Sequence, residues 1–416
     1  IFAWAFEMTP EGLKRETEVD RSQSITAQTG QKLNVTIIAL LALAVIYLGL
    51  DKFFFEHDHG DEIVAAEPSI AVLPFANMSD DANNEFFADG ITEELLNLLA
   101  KIPELKVTSR TSAFFYKGKD IKLSDVGREL DVDHILEGSV RKSGQKVRIT
   151  AQLIEVATDA HLWSETWDRN LDDVFQIQDD IAAKVVDELR VQLLGELPHA
   201  VATDGETYSL YLQARHTIPQ RTNESLARGE ELIEKAIERD PSYAPAWVLK
   251  AHIYSQQGDV GARPTREVGA LAREAVNRAL ELDPDNAAAY ALSGDIMISF
   301  EQDYAGAKPL FEKALKLGPT DVDVLYQAGV YFAFVGQPEK GLQIALQTYE
   351  RDPLFVPNHA ILAYMYDMLG RYEEAEAISR KRIDVSPDSY GTYYYAAIPL
   401  ILQGRYDEAL EVAQQE

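Results

Sequence analysis

The 416-residue sequence predicts three successive parts: a membrane-spanning helix, a small α/β domain and an all-α solenoid of paired helices. Three observations predict this order. Residues 33–50 contain no charged side chain and are predominantly apolar. Residues 68–197 alternate between short runs typical of strands and longer runs with helical spacing. From residue 241 onward, prolines recur about every 34 residues.

The apolar run at residues 33–50 is long enough to cross a bilayer as a helix. At about 1.5 Å per residue it extends roughly 27 Å, close to the roughly 30 Å of a hydrocarbon core. A buried helix of a soluble domain is the alternative, but such a helix normally has a polar face. Lys52 and the three phenylalanines after it are residue types that favour the interface between the bilayer core and the lipid headgroups. The sequence therefore predicts a transmembrane helix at residues 33–55.

The basic residues near the two ends of this run predict its orientation. Residues 13–32 hold four Lys and Arg side chains, whereas residues 51–70 hold only Lys52. Cations are retained on the cytoplasmic side, so we expect residues 1–32 to be cytoplasmic and the C-terminal bulk to lie outside. Residues 1–6 are apolar, and we interpret them as the end of an earlier membrane helix. A cleaved signal peptide is the less favoured alternative.

Residues 56–67 form a polar and acidic linker. His57 and His59 stand beside three acidic residues there, and these residue types bind divalent cations. Ligands in a flexible loop must be ordered on binding, and no second shell is evident. We therefore interpret the segment as a solvated tether and predict no metal site, with a metal-dependent hydrolase that uses His57 and His59 as an alternative hypothesis.

Residues 68–197 predict a small α/β domain. A short apolar run at residues 69–75 is bounded by Pro68 and a polar loop, as expected of a buried strand. Residues 86–99 then carry apolar side chains at helical spacing. Three strands of a meander and a closing helix follow, at residues 134–141, 146–156, 160–168 and 174–194.

The second half of the chain is periodic. The prolines that mark the period are 43, 35, 34 and 34 residues apart: Pro241, Pro284, Pro319, Pro353 and Pro387. A period near 34 built from two helices with a closing proline is the tetratricopeptide signature. The sequence therefore predicts a tetratricopeptide repeat solenoid over residues 206–416, with a degenerate first unit and an incomplete last one. His359 replaces the usual aromatic side chain, so we expect its unit to pack loosely.

A solenoid of this kind offers a concave groove lined by the first helix of each pair, and such grooves hold extended or helical peptides. Counting along the predicted first helices puts six side chains on this inner face. They are the candidate peptide-binding residues: His252, Asp295, Tyr326, Tyr364, Asp367 and Tyr394. The alternative is that they are ordinary solvated or interhelix residues.

Five stretches of residues 68–197 resemble the TolB-type (FlgO-like) amino-terminal domain of bacterial membrane-anchored tetratricopeptide repeat proteins. They follow the family's order over about 130 residues: Ser69 to Phe75, Phe86 to Leu95, Thr108 to Ser112, His134 to Val140 and Leu162 to Asp168. The resemblance implies a protein-interaction module of the cell envelope. It therefore implies a protein of the bacterial inner membrane, with a cytoplasmic N-terminal segment and periplasmic C-terminal domains.

Composition and motifs argue against a catalytic or nucleic-acid-binding chain. A net charge of −29 would repel phosphate, and the absence of cysteine excludes thiol nucleophiles and cysteine-ligated metals in this sequence. The sequence contains no phosphate-binding glycine loop, dinucleotide fingerprint, zinc-protease motif or nucleophile elbow. We therefore predict no enzymatic activity, no cofactor, no metal and no small-molecule substrate.

The predicted function is that of a non-catalytic, membrane-tethered scaffold. Its TolB-like domain and tetratricopeptide repeats would bind protein or peptide partners, and residues 33–55 would contact the lipid bilayer. The alternative is the sensor part of a transmembrane signalling protein related to adenylate cyclases or DNA-binding receptors, with the output domain absent from this span. The polar stretch at residues 7–32 is too short to contain either output domain.

Overall fold

The computed structural model describes residues 6–9, 12–15, 68–81, 84–191, 197–387 and 391–416. The chain forms two compact units, residues 1–66 and 67–416. In the first unit, strand β1 (Phe6–Thr9) pairs antiparallel with strand β2 (Gly12–Arg15). The predicted end of an earlier membrane helix, residues 1–6, lies outside the described residues except for Phe6, which begins β1. The sequence Phe6-Glu-Met-Thr9 alternates apolar and polar residues, as strands do.

The membrane-spanning element of the predicted fold class requires correction. In the described ranges, no helix is both long and apolar enough to cross a bilayer, which contradicts the predicted inner-membrane localisation. The helix predicted at residues 33–55, and the linker containing His57 and His59, lie outside the described residues. Length and apolar composition are necessary for a membrane span, but alone they do not establish one. The corrected fold is an α/β part followed by a helical array.

The second unit begins with a mixed β-sheet. Its strands are β3 (Ser69–Val72), β4 (Ala76–Asn77), β5 (Lys106–Val107), β6 (His134–Ser143), β7 (Lys146–Glu155) and β8 (Ala160–Asn170). Strand β3 lies parallel to β5 on one side and to β6 on the other, and β4 also pairs with β6. Strands β6, β7 and β8 form an antiparallel meander in which Ile135 pairs with Ile154. This confirms the predicted hairpin, whose turn contains Gly144 at a φ of 59°.

Helices cover both faces of this sheet. They are α1 (Glu85–Ala100), α2 (Arg110–Phe114), α3 (Leu123–Leu130) and α4 (Val174–Glu188). Adjacent residues of a strand point to opposite faces, so Ile135 and Leu136 of β6 enter two separate cores. Leu136 packs in the core that contains α1 and α4, whereas Ile135 packs with Val126 and Leu130 of α3. The sheet is thus buried on both sides at β3 and at the start of β6, whereas β8 is largely exposed. We call β3 to α4 the α/β part.

A helical array follows the α/β part. Its helices are α5 (Gly205–Thr217), α6 (Asn223–Arg239), α7 (Ala244–Asp259), α8 (Thr265–Leu282), α9 (Ala287–Glu301), α10 (Tyr304–Leu317), α11 (Val322–Phe334), α12 (Pro338–Arg351), α13 (Val356–Met368), α14 (Tyr372–Val385), α15 (Thr392–Leu402) and α16 (Tyr406–Ala413). Consecutive helices pack in pairs with the predicted period, which confirms the tetratricopeptide repeats.

Small residues allow the two helices of a pair to approach closely. At Gly294 of α9, a Cβ atom would lie only 2.7 Å from the ring of Phe311 on α10. The loose packing expected around His359 is not observed, because this side chain is fully buried. Its Nε2 lies 2.9 Å from the Pro353 carbonyl oxygen, and its ring lies 5.7 Å from that of Tyr349. A hydrogen bond and an aromatic contact replace the packing of the usual aromatic side chain.

The array curves with its first helices on the inner side. First helices of neighbouring pairs, α7, α9, α11, α13 and α15, contact one another in succession. Second helices of neighbouring pairs make far fewer mutual contacts. Elements on the inner side of a curved stack lie closer together than those outside, so the first helices line the concave face.

The α/β part and the array share one hydrophobic core. Tyr208 of α5 is fully buried, with its ring centroid 4.7 Å from that of Phe175 on α4 and 6.4 Å from that of Phe87 on α1. Its hydroxyl accepts a hydrogen bond from Gln178 Nε2 at 2.8 Å. The array is therefore packed directly against the α/β part. The boundary predicted between them near residue 200 stays a prediction.

Candidate peptide-binding face

The structure places all six candidate residues on first helices. His252 lies on α7, Asp295 on α9, Tyr326 on α11, Tyr364 and Asp367 on α13, and Tyr394 on α15. The five helices that carry the candidates succeed one another along the array. Their part in binding stays a prediction.

Large apolar side chains are exposed on the last three first helices. We call this set the inner stripe: Phe334, Tyr364, Met368, Tyr394, Ile401 and Leu402. The ring of Phe334 is 61% exposed and stacks on that of Tyr364 at a centroid distance of 5.7 Å. Tyr394 is 60% exposed. Exposed apolar residues that are grouped in this way mark interaction surfaces more often than single ones do.

Sequence reasoning missed four members of the inner stripe, although one signal was present. Phe334, Met368 and Leu402 are 34 residues apart, so each occupies the same position in its repeat. A large apolar residue that recurs at a surface position of the repeat indicates a continuous apolar surface.

Two of the six candidates are enclosed rather than open. Tyr326 is half-buried, and its ring lies edge-on to that of Phe355 at 4.9 Å, so it packs between two repeats. Burial, together with the positive charges of Arg215 and Arg221, lowers the pKa of His252 to about 4. His252 is therefore neutral at pH 7, and its Nε2 lies 3.1 Å from Gln256 Nε2. For these two residues the structure favours the interhelix alternative.

Asp295 and Asp367 are half-buried carboxyl groups on the concave side. Burial raises the pKa of each to about 6, and the charge of Asp259 contributes at Asp295. Asp367 Oδ1 is buried and has no hydrogen-bond partner among the described residues. Neither carboxyl group forms an ion pair within the part of the chain that the structure describes. A partly desolvated carboxylate of this kind gains from a nearby cation.

Loops between repeats contact the α/β part. The fully buried carboxylate of Asp352, between α12 and α13, accepts hydrogen bonds from the hydroxyls of Ser109 and Ser112 at α2. One repeat earlier along this edge, Thr320 Oγ1 donates to the Ala100 carbonyl oxygen at the end of α1, at 3.0 Å. The α/β part is thus held at the first helical pair and again at these loops.

The Asp352 contact predicts a pH dependence of stability. Burial raises the pKa of Asp352 to about 7, above its value in an unfolded chain, so the folded state retains a proton that the unfolded state releases. Its contribution to stability is then largest near pH 4 and falls as the pH rises to about 7. Relative to Asp352→Asn, we expect the original chain to lose about 2 kcal/mol between pH 5 and pH 7. Urea unfolding at several pH values measures the difference, and parallel pH profiles would contradict it.

A charged network joins α1 to the first helical pair. Arg215 of α5 lies 2.5 Å from carboxylate oxygens of both Glu93 and Glu94, and Arg110 also pairs with Glu93. The Tyr211 hydroxyl receives a hydrogen bond from Arg215 Nη1 at 3.1 Å. These groups satisfy one another, so the network is structural rather than an open ligand site.

A cavity of about 480 Å³ lies against the face of the sheet that α3 covers. Its floor includes Glu137, Thr150 and Gln152, and its walls are mainly apolar. Gln152 Nε2 donates to Glu137 Oε1 at 2.5 Å, and the Thr150 hydroxyl lies 3.0 Å from that of Thr166. The floor is thus largely hydrogen-bonded within itself. Across the described ranges, no three His, Asp or Glu side chains lie together as metal ligands.

Comparisons with known proteins match parts of this chain to a family model and to a curated relative. Residues 66–184 match the family model described as HilA/YgeH-like transcriptional regulator, second domain. This is a different family from the TolB-type one predicted from the same residues, so TolB membership is not shown. A curated protein of Rhizobium meliloti (strain 1021), described as "Putative adenylate cyclase 3", is 43% identical over 185 residues. The match covers 44% of this chain and 32% of that protein, so the chain spans about a third of this relative.

Several solved structures are similar to the array. YrrB, described as a TPR protein with an unusual peptide-binding site, has 22% identity and a TM-score of 0.34, over 44% of this chain and 89% of that one. PilW, a type IV pilus biogenesis factor, has 20% identity and a TM-score of 0.43, over 50% of this chain and 91% of that one. A thermophilic TPR protein of Thermus thermophilus has 17% identity and a TM-score of 0.37, over 49% of this chain and 98% of that one. The repeats of this chain are identified by their period and their helical pairs.

Proposed function

We propose that this chain is a non-catalytic scaffold that holds a segment of a partner protein against the inner stripe. The exposure of six large apolar side chains on three successive first helices carries this proposal. Burying such side chains in a complex is favourable by about 25 cal/mol per Å² of apolar surface. The repeats supply a continuous concave face, which suits an extended or helical segment.

The α/β part supports the scaffold by fixing the array. The shared core around Tyr208 and the contacts of Asp352 hold the repeats at two separate places. Pre-organised binding surfaces lose less conformational entropy when a partner docks. The TolB-type resemblance of residues 68–197 belongs to the same proposal, as an interaction module that accompanies the repeats.

Site-specific photo-crosslinking tests the scaffold proposal. We would place benzoylphenylalanine at position 394 or position 364 on the inner stripe, and at position 406 on α16 as the control. Tyr406 is 68% exposed but lies on a second helix, so it matches position 394, which is 60% exposed, in accessibility and not in location. We expect covalent adducts with a partner at 394 and 364 and none at 406. Equal labelling at all three positions, or none at any, would contradict the proposal.

A second candidate function is regulatory: the chain would be the sensing part of a signalling protein. The 43% identity to the protein described as an adenylate cyclase supports this candidate, as does the match to a transcriptional regulator's domain. The test compares adenylate cyclase activity of the full-length gene product with that of a variant lacking residues 67–416. A regulatory role predicts a change of about fivefold or more, the lower end of typical allosteric coupling. Absence of cyclase activity, or unchanged activity, would argue for the scaffold alone.

A further inference from the structure

We infer that the segment held on the inner stripe is basic, with Lys or Arg side chains that reach Asp295 and Asp367 between apolar residues that contact the stripe. This inference rests on the proposed function and specifies the chemistry of its partner. Three features of the first helices, which share Asp367, carry it: acceptors without donors, carboxylates without cations, and aromatic rings beside them.

The first feature is an excess of hydrogen-bond acceptors. Gln256 on α7, Gln327 on α11 and Asp367 on α13 each have a buried side-chain oxygen that lacks a donor among the described residues. All three lie on first helices, and all three atoms are acceptors. A buried acceptor without a donor costs about 1–3 kcal/mol, and its uncompensated partial negative charge favours a cation over an anion at the surface beside it. Lys and Arg side chains carry only donors, three and five respectively.

The second feature is unneutralised negative charge. Carboxylates elsewhere in the array are commonly paired: Glu376 lies 2.6 Å from both Arg380 and Arg405, and Glu231 lies 2.6 Å from Lys235. Asp295 and Asp367 have no such cation within the described ranges. The whole chain carries a charge of −29, so its long-range field also attracts basic segments and repels acidic ones.

The third feature is the position of Asp367 next to the inner stripe. It lies three residues after Tyr364 on α13, so the two side chains are neighbours on one helix face. Tyr364 stacks on Phe334 of α11. A cation that approaches Asp367 therefore comes close to aromatic rings, which also attract Lys and Arg. An acidic segment would be repelled by the carboxylates of Asp295 and Asp367.

Selection from a random twelve-residue peptide library displayed on phage tests the inference directly. The target is the chain of residues 1–416, immobilised at pH 7.5. We expect the enriched peptides to contain about twice the library's frequency of Lys and Arg, together with aromatic or aliphatic residues. The variant Asp295→Asn/Asp367→Asn should lose the basic enrichment and keep the apolar one. The control variant Glu373→Gln/Asp407→Asn removes the same charge from exposed positions on second helices and should select as the original chain does.

The outcomes separate this inference from the proposed function. Apolar enrichment without Lys or Arg, or with Asp and Glu, would overturn the basic partner and leave the scaffold intact. Enrichment that survives Phe334→Ala/Tyr364→Ala/Tyr394→Ala would overturn both. A chain that dimerises in light scattering, and becomes monomeric in that triple variant, would identify a second copy as the occupant and also overturn the inference.

Affinity as a function of pH gives an independent measurement with one enriched peptide. Because the pKa of both Asp295 and Asp367 is raised to about 6, lowering the pH from 7.5 to 5 removes their negative charges. We expect the Kd of the original chain to rise about tenfold over this range, which corresponds to about 1.4 kcal/mol. The Asn double variant should show no such change, and a matching pH dependence in both would contradict the inference.

Discussion

Replacing Tyr208 with alanine should lower the free energy of unfolding by about 4 kcal/mol, within the range for aromatic-to-alanine changes in cores. The side chain is fully buried between Phe87 and Phe175, so its removal leaves a cavity where three helices meet. It also leaves the Gln178 amide without the acceptor that it contacts at 2.8 Å. Urea unfolding followed by circular dichroism and by tryptophan fluorescence measures the loss.

Two control variants isolate the cause of the Tyr208 effect. Tyr208→Phe keeps the ring and removes only the hydroxyl, so we expect a loss of about 1–2 kcal/mol. Tyr406→Ala removes a tyrosine that is 68% exposed and should change stability by less than about 0.5 kcal/mol. Because the α/β part and the array share this core, both optical signals should shift together in Tyr208→Ala. A shift in one signal alone would contradict a common core.

Replacing Arg215 with methionine should destabilise the chain by about 3 kcal/mol. Its guanidinium pairs with Glu93 and Glu94, and removing one partner of a buried ion pair leaves uncompensated charge. The value is at the low end of the usual range because Arg215 is 24% exposed and Arg110 still pairs with Glu93. The measurement is the midpoint of urea unfolding at pH 7, with the slope of the transition compared between the variant and the original chain.

A matched substitution tests whether position, rather than charge, explains the Arg215 effect. Arg228→Met removes an arginine that pairs with Glu231 on an exposed face of α6, where ion pairs contribute little. We expect a change below about 0.5 kcal/mol. If the two methionine variants unfold at the same urea concentration, the network between α1 and α5 does not stabilise the fold as described.

Periodic features of this fold could be predicted from the sequence. The 34-residue spacing places each helical pair, and the alternation in residues 134–168 places the meander of β6, β7 and β8. Helical counting also placed Tyr364 and Tyr394 on first helices, where the structure has them. These features depend on residues close in sequence, where hydrophobic periodicity acts directly.

Contacts between distant parts of the chain left no such signal. Ser109 and Asp352 are 243 residues apart, and nothing in either local sequence indicates the other. Arg215 and Glu93 meet only because α5 packs on α1. His252 and Tyr326 were placed correctly on first helices, but their enclosure depends on neighbours that periodicity does not specify. The membrane span was predicted from length and composition alone and is not supported by any described helix.

The position of Asp352 has a mechanical consequence for the array. Helix α13 carries Tyr364, Met368 and Asp367, and it starts only four residues after Asp352, whose carboxylate is fastened to α2. A molecule that moves α13 inward must therefore either move the α/β part with it or break the hydrogen bonds of Asp352. The repeats thus have a second connection to the α/β part, through Asp352, that does not involve the first helical pair. Force applied at α13 can therefore be transmitted to the sheet through this contact.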